Sequence, residues 1–448
     1  MSTSTSRHQA QFKTELNCPH CWSEVCAHEL CYIAESEHLR HNDTKLQHKP
    51  LRFLPDRFDD EGAALDEDNK PCKKLACPKC HLPIPRAWLE MDCFCISIGG
   101  APNSGKSYFL ASMIKRLRDV MNNPFWTHFT DADRVMNERI RKYEHDIFLA
   151  DEGRVSIDKT DIVGDIYNHS RINGRDTTQL AQPFLYSTGP VQSRHPYLQW
   201  AERSRRIYCL YDNAGEDFLP GRARIEAPVT RHMKKADALL FVFDPTQDVR
   251  FRSYNDQHFP DHKLPKIENE EARQRVHNER QEEILDEMVA QIRTLNNLRD
   301  DETLGIPLIV VLTKYDLWKH WGSHIFPSGK APQDYFPCVL LAGEKIGGYD
   351  AWTVDQYSII LKERLEKILS GLRGAAEKAA GNNVWYIPVS ATGRQPEYGA
   401  NDTGTHCHYY RSGTLKPIWA EVPFLHAQAI VQSAVPIPII SNESLILR

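Results

Sequence analysis

The chain has 448 residues, enough for two or three domains, or for one enlarged domain with a small module attached. With 41% hydrophobic and 26% charged residues it can bury a real core, and a formal net charge of -5 supplies no bulk basic field of the kind that gathers nucleic acid or anionic lipid. The polar stretch 1–13 lacks the apolar core of a signal peptide, and no run nears the roughly 18 apolar residues that span a bilayer, so no membrane span and a cytoplasmic location are expected. In that reducing compartment the 12 cysteines read as thiols or metal ligands.

Residues 1–90 predict a small zinc-ribbon-like module. Cys18-Pro-His-Cys21 and Cys77-Pro-Lys-Cys80 form a C-x-x-C pair of turns. A two-residue spacer points both thiolates of a turn at one ion, and two such turns close a tetrahedral Zn²⁺ site with no open position, which makes the metal structural. His20, Cys26, His28, Cys31 and Cys72 match no standard spacing and read as ordinary core or surface residues. The acidic character of 56–68 argues against nucleic-acid contact through this module and leaves protein docking as its expected role.

From Asp92 the chain alternates apolar strands with amphipathic helices. Cys93–Ile98 predicts a strand, followed by Gly100-Ala-Pro-Asn103-Ser104-Gly105-Lys106-Ser107, which fills every fixed position of G-x-x-x-x-G-K-[ST]. In that pattern glycines let backbone N–H groups approach phosphate oxygens, the lysine reaches the β- and γ-phosphates, and the serine hydroxyl ligates Mg²⁺. Asn103, Ser104 and Tyr108 belong to the same phosphate-binding stretch. Phe109, Leu110, Met113, Ile114 and Leu117 then share one helix face. Residues 121–176 read as an insertion, and Gln182–Tyr186 as the next strand, with Thr177 and Thr178 just before it.

The strand Ile207–Tyr211 leads into Asp212-Asn-Ala-Gly215-Glu216, and Ala238–Phe243 leads to Asp244. A polar stretch, 250–283, looks like a second insertion. Ile284, Leu285, Met288, Val289, Ile292 and Leu295 predict a helix, and Leu308–Leu312 a strand closed by Thr313-Lys314-Tyr315-Asp316. Ile360, Leu361, Leu365, Ile368 and Leu372 predict one more helix before the strand Val384–Val389, which Ser390-Ala391 follows. A Pro/Ile-rich tail, 433–448, closes the chain. Strand–helix alternation of this kind means an α/β domain, 91–432, with a mainly parallel sheet and helices on both faces.

Four short elements in fixed order, each closing a strand, resemble the Ras-like, translation-factor-related class of P-loop GTPases over roughly 92–432. The resemblance implies GTP and GDP as ligands with Mg²⁺. It gives Asp212 and Thr178 as Mg²⁺-side groups beside Ser107, and Gly215 as the γ-phosphate sensor. Lys314 and Asp316, with Thr313, would read guanine, and Ser390-Ala391 would face its O6. An aspartate there accepts from guanine N1–H and the 2-amino group, and adenine offers neither donor. An ATPase of the same loop class would want an apolar strand ending in Asp-Glu, which Asp212-Asn213 is not.

Within that class, Cys77-Pro-Lys-Cys80-His81-Leu-Pro, Asp212-Asn-Ala-Gly-Glu and Ala236-Asp237-Ala238 leading to Asp244-Pro245 resemble the bacterial double-GTPase family of conflict-type gene clusters. That likeness implies protein partners, namely a second GTPase and a membrane-associated component. GTP hydrolysis using Lys106, Thr178, Gly215 and Glu216 is the expected activity. Glu216 stands where many GTPases carry glutamine, so slow or partner-dependent hydrolysis is expected. Two alternatives stand beside it: a guanine-nucleotide-binding scaffold that hydrolyses little, and a nucleic-acid-associated GTPase reading through the zinc module.

Overall fold

The structure is a computed structural model that describes residues 12–149, 154–155, 167–172, 178–191, 195–213, 218, 228–265, 280–326, 331–411 except 401–405, 413–431, 437–441 and 444–446. The chain divides into two compact units. The smaller takes Met1–Cys93, Tyr167–Pro183 and Ala227–His232, and the larger takes Phe94–Ile166, Phe184–Glu226 and Met233–Arg448.

A seven-stranded sheet organises the larger unit. Its strands are β1 (Asp92–Gly100), β2 (Thr127–Asp131), β3 (Phe184–Pro190), β4 (Arg206–Asp212), β5 (Ala238–Phe243), β6 (Leu308–Leu312) and β7 (Val384–Pro388). Their spatial order is β2-β3-β4-β1-β5-β6-β7. The sheet is mostly parallel: β1 with β5, β5 with β6 and β6 with β7 all pair that way, while β3 runs antiparallel to both β2 and β4. Every residue of β5 and β6 is buried, as expected of inner parallel strands covered on both faces, and their uninterrupted Leu/Ile/Val/Phe runs provide the material.

Among the described residues, the α-helices of seven or more residues are α1 (Lys106–Asn122), α2 (Glu138–Glu144), α3 (Val249–His258), α4 (Gln281–Asn296), α5 (Ala351–Glu366), α6 (Ser370–Ala380) and α7 (Val422–Ile430). Phe109, Leu110, Met113, Ile114 and Leu117 all lie in the core, so the predicted face of α1 is the buried one. The apolar pattern at 360–372 spans two helices, not one. It carries across the break at 367–369, because Leu365, Leu369 and Leu372 all enter the same core although the backbone turns between them.

Three sequence expectations change in kind. Inside the expected 121–176 insertion, Thr127–Asp131 is the edge strand of the main sheet, paired antiparallel with β3. Its alternation puts only Thr127 and Phe129 inward, too short a pattern to stand out. Polar 250–258 forms α3, anchored by a buried Phe251 stacked 4.2 Å from Trp321. Ile439–Ser441 does not trail away: it pairs in parallel with Gly348–Asp350 and antiparallel with Ser444–Ile446.

The smaller unit is built from strands of two to four residues. Glu15–Asn17 pairs with Glu24–Cys26, Cys31–Ile33 with Arg52–Phe53 and Leu75–Ala76, and Leu75–Ala76 with Pro83–Ile84. Tyr167–Ser170 pairs with Thr178–Ala181 in the same unit. Among the described residues no helix is long and apolar enough to cross a membrane.

Candidate functional site

Strand β1 runs straight into the 100–107 loop. A Cβ at Gly100 would lie 2.3 Å from the Val242 carbonyl oxygen, so only glycine lets β1 turn this close to β5. Asn103 and Gly105 follow with φ of +62° and +91°, and Gly105 caps α1 in the left-handed conformation. The 17-residue helix therefore aims its first amides, and the positive end of its dipole, into the loop. Lys106 Nζ donates to the carbonyls of Gly100 and Ala101 at 2.8 and 3.1 Å, which holds the ammonium over the loop. The Ser104 hydroxyl is buried and has no hydrogen-bond partner among the described residues.

Hydrogen bonds tie this loop to segments more than 200 residues away. Thr313 Oγ1 donates to the Ser104 carbonyl at 2.8 Å and to Phe243 O at 3.1 Å. Ser390 Oγ donates to Asp316 Oδ1 at 2.5 Å and itself accepts from the Gly393 N–H at 2.8 Å. Ser112, in the second turn of α1, donates to the Ala391 carbonyl at 2.7 Å. Tyr315 N–H reaches Val389 O at 3.1 Å. The ends of β1, β6 and β7 thus converge on one edge of the sheet. Burial pushes the Asp316 carboxyl up from its ordinary range, with the Ser390 hydroxyl pulling the other way.

Two further residues belong to this edge and were not singled out as site residues in the sequence. Asp244, fully buried at the end of β5, takes Lys314 Nζ at 2.6 Å and the Thr246 N–H and hydroxyl at 2.9 and 2.6 Å. Gln247 Nε2 bridges Asp244 Oδ2 at 2.9 Å and the Asn103 carbonyl at 2.8 Å. The available signal was positional: Asp244 closes an all-apolar strand, as Asp212 and Thr313 do.

Asp212 closes β4 at the same edge. Asn213 N–H donates to Ile98 O at 3.0 Å, and its side-chain amide reaches Ser97 Oγ and Ile98 O at 3.0 and 2.9 Å, which fastens the end of β4 to β1. Arg139 Nη2 stands 3.7 Å from Asp212 Oδ2. Gly215, Glu216 and Thr177 lie outside the described residues. Thr178 lies in the smaller unit, opposite Ser170 in an antiparallel pair, and the strand expected from Gln182 begins instead at Phe184.

The smaller unit gathers Cys18, Cys21, Cys77 and Cys80 into one buried group whose sulfurs all lie within 4.8 Å of one another. Cys18 and Cys80 are 3.7 Å apart and Cys21 and Cys77 3.8 Å. Those separations far exceed a disulfide, and they match the roughly 3.8 Å edge of a tetrahedron with arms of about 2.3 Å, the Zn–S length. The two turns are built alike. His20 N–H donates to Cys18 Sγ at 3.4 Å and Lys79 N–H to Cys77 Sγ at 3.3 Å, and the residue after each pair, Trp22 or His81, takes φ near +60°. Burial pushes the Cys18 and Cys80 thiols well up, while hydrogen bonding from Cys18 draws Cys21 and Cys77 down. Four thiolates packed this closely need a cation to neutralise them, so the group is a candidate metal site. Cys26, Cys31 and Cys72 are not members of it.

No protein-family model matches the chain. A curated protein of Mycolicibacterium smegmatis (strain ATCC 700084 / mc(2)155), named "Putative ESX-1 scaffolding and assembly protein SaeC", is 29% identical over 182 residues, 40% of this chain and 40% of that protein. The chain thus matches well under half the length of that relative. Among solved structures, sup35 complexed with GDP superposes at a TM-score of 0.23 and 14% identity, over 70% of this chain and 40% of that one, a likeness too slight to carry an argument.

Proposed function

We propose that the chain is a guanine-nucleotide-binding protein that hydrolyses GTP, with a structural zinc module in its smaller unit. The reading rests above all on one observation: the loop 100–107, Thr313–Asp316 and Ser390-Ala391 are joined by side-chain hydrogen bonds at a single sheet edge. Phosphate recognition falls to the amides of 103–107 and to Lys106, whose ammonium can leave its carbonyl partners for a more strongly charged acceptor. Asp316, pre-oriented by Ser390, accepts from guanine N1–H and the 2-amino group. Ser107 and Asp212 are the side chains suited to hold Mg²⁺, which would neutralise charge on the phosphates. Cys18, Cys21, Cys77 and Cys80 hold Zn²⁺ in a closed set, with no position for substrate.

The test is calorimetric titration of the full chain with GTP, GDP and ATP in Mg²⁺, beside Asp316→Ala. Guanine-selective binding that the variant loses is the expected result. Equal ATP binding, indifferent to Asp316, would return the chain to the wider class of P-loop proteins.

A second reading keeps the nucleotide and drops the turnover. Glu216 occupies the glutamine position, where a carboxylate repels the γ-phosphate, and the mycobacterial relative is described by scaffolding and assembly. Nucleotide state would then govern protein association, with a second GTPase and a membrane-associated component as candidate partners. Single-turnover GTP hydrolysis separates the two.

A further inference from the structure

We propose that Arg139 is a phosphate-contacting residue, supplied by the chain itself to the terminal phosphate of the bound nucleoside triphosphate; the proposal rests on the guanine-nucleotide reading of the site. Arg139 lies in the first turn of α2, immediately beyond the connection that follows β2. Its guanidinium carbon is 4.8 Å from the centre of the Phe184 ring, and Phe184 pairs with Leu210, two residues before Asp212. The side chain is thereby carried to Asp212 at the end of β4, the strand that neighbours β1 in the sheet.

The surroundings do not satisfy it. Arg139 is 10% exposed and Asp212 11%, yet the closest approach between them is 3.7 Å. Nε, Nη1 and Nη2 of Arg139 are all buried without a hydrogen-bond partner among the described residues. A guanidinium carries five N–H donors, and leaving them unpaired away from water is among the costlier arrangements a fold can retain. Ion pairs elsewhere in the same unit close tightly: Lys314 meets Asp244 at 2.6 Å and Arg116 meets Glu421 at 2.8 Å, each with a carboxylate almost wholly buried. Asp212 thus supplies Arg139 with a counter-charge and leaves its fork of donors available.

An acceptor-rich, multiply charged group fits that fork, and a phosphoryl group matches its planar, bidentate geometry. In hydrolysis the water oxygen bonds to the γ-phosphorus as the bond to the β–γ bridging oxygen breaks. That electron pair stays on GDP, and the water proton leaves on inorganic phosphate. Arg139 donates to the charge that builds on the γ-phosphoryl and bridging oxygens. The aromatic face of Phe184 holds the guanidinium in place beforehand.

The experiment compares the full chain with Arg139→Ala, Arg139→Met and Arg139→Lys, measuring affinity for GTPγS and for GDP in Mg²⁺ together with single-turnover GTP hydrolysis. In the Ala and Met variants GDP affinity is expected to stay within about twofold, while GTPγS binds about tenfold more weakly. Hydrolysis, where the wild-type chain shows it, is expected to slow by about 10³-fold. The lysine variant recovers part of the affinity and little of the rate. The Met variant keeps an unbranched chain of similar length without the guanidinium, and an unchanged melting temperature there separates a lost contact from a damaged fold. An unaltered ratio of GTPγS to GDP affinity in the Ala and Met variants overturns the proposal. Equal loss of both nucleotides in those variants also overturns it, because Arg139 would then be maintaining the site's shape. A wild-type chain that binds neither nucleotide overturns the guanine reading, and this inference with it.

Discussion

The four-thiol group and the strand-edge site both join short segments far apart in sequence, but they are specified by different parts of the residues. Cys21 and Cys77 are 56 positions apart, and the contacts that define their group are made by side-chain sulfurs, by amides two residues along and by the Ser23 hydroxyl. At the sheet edge the acceptors are largely backbone: Ser104 O takes Thr313, Ala391 O takes Ser112, and Asn103 O takes Gln247. A site written in side chains tolerates changes in the surrounding scaffold as long as the ligands remain. One written in carbonyls is a property of where the strands end.

The largest expected effect tests the first half of that contrast. Zinc-thiolate binding in small modules contributes on the order of 10 kcal/mol to folding. Chelation at neutral pH, or Cys77→Ser, should release about one Zn²⁺ per chain, make the remaining thiols reactive and open the smaller unit to proteolysis. Full thiol protection after exhaustive chelation would show that the group needs no metal.

Asp244→Ala tests the other half. Removing a fully buried carboxylate that accepts from Lys314, Thr246 and Gln247 should cost about 2–4 kcal/mol, discounted from a sealed pair because the Lys314 side chain is 38% exposed. Chemical denaturation reads the loss directly. A change under about 0.5 kcal/mol would mean that the backbone alone holds the edge together.

The smallest effect concerns Asp316, where site and stability pull against each other. Burial raises its carboxyl above the unfolded value, so the folded chain holds that proton more tightly. The stability linked to it is fully present below the unfolded pKa and is lost as pH rises through the raised folded one. Asp316→Asn should therefore melt about 1–2 °C above the wild type at pH 7 without nucleotide, with the gap closing towards pH 4. A variant less stable at pH 7 would show that the ionised carboxylate is better satisfied than its burial implies.

The same distinction explains what the sequence made legible. The strands β1, β4, β5, β6 and β7 were readable because their apolar runs are long, and the loop, Thr313–Asp316 and Ser390-Ala391 because fixed residue types mark their ends. Strand β2 was not, since Thr127-His-Phe-Thr-Asp131 offers only two inward positions. For Asp244 the sequence offers a position at a strand end but no role, which only its burial and its contacts with Lys314, Thr246 and Gln247 supply. Arg139 carries no local signature at all, because only the folding of α2 over Phe184 brings it to Asp212. The break between α5 and α6 was hidden for the opposite reason: the hydrophobic spacing persists through a turn that the periodicity cannot register.

The pairing of Ile439–Ser441 with Gly348–Asp350 has a bearing on the order in which the protein is made. Those strands are about ninety positions apart, and the later one emerges from the ribosome after all seven strands of the main sheet. Until then Tyr349, fully buried in the finished fold, lacks the neighbouring strand that helps cover it. A nascent chain that ends before residue 437 therefore holds Gly348–Asp350 by its pairing with Cys338–Val339 alone, so this part of the fold is closed only by the last stretch to be made.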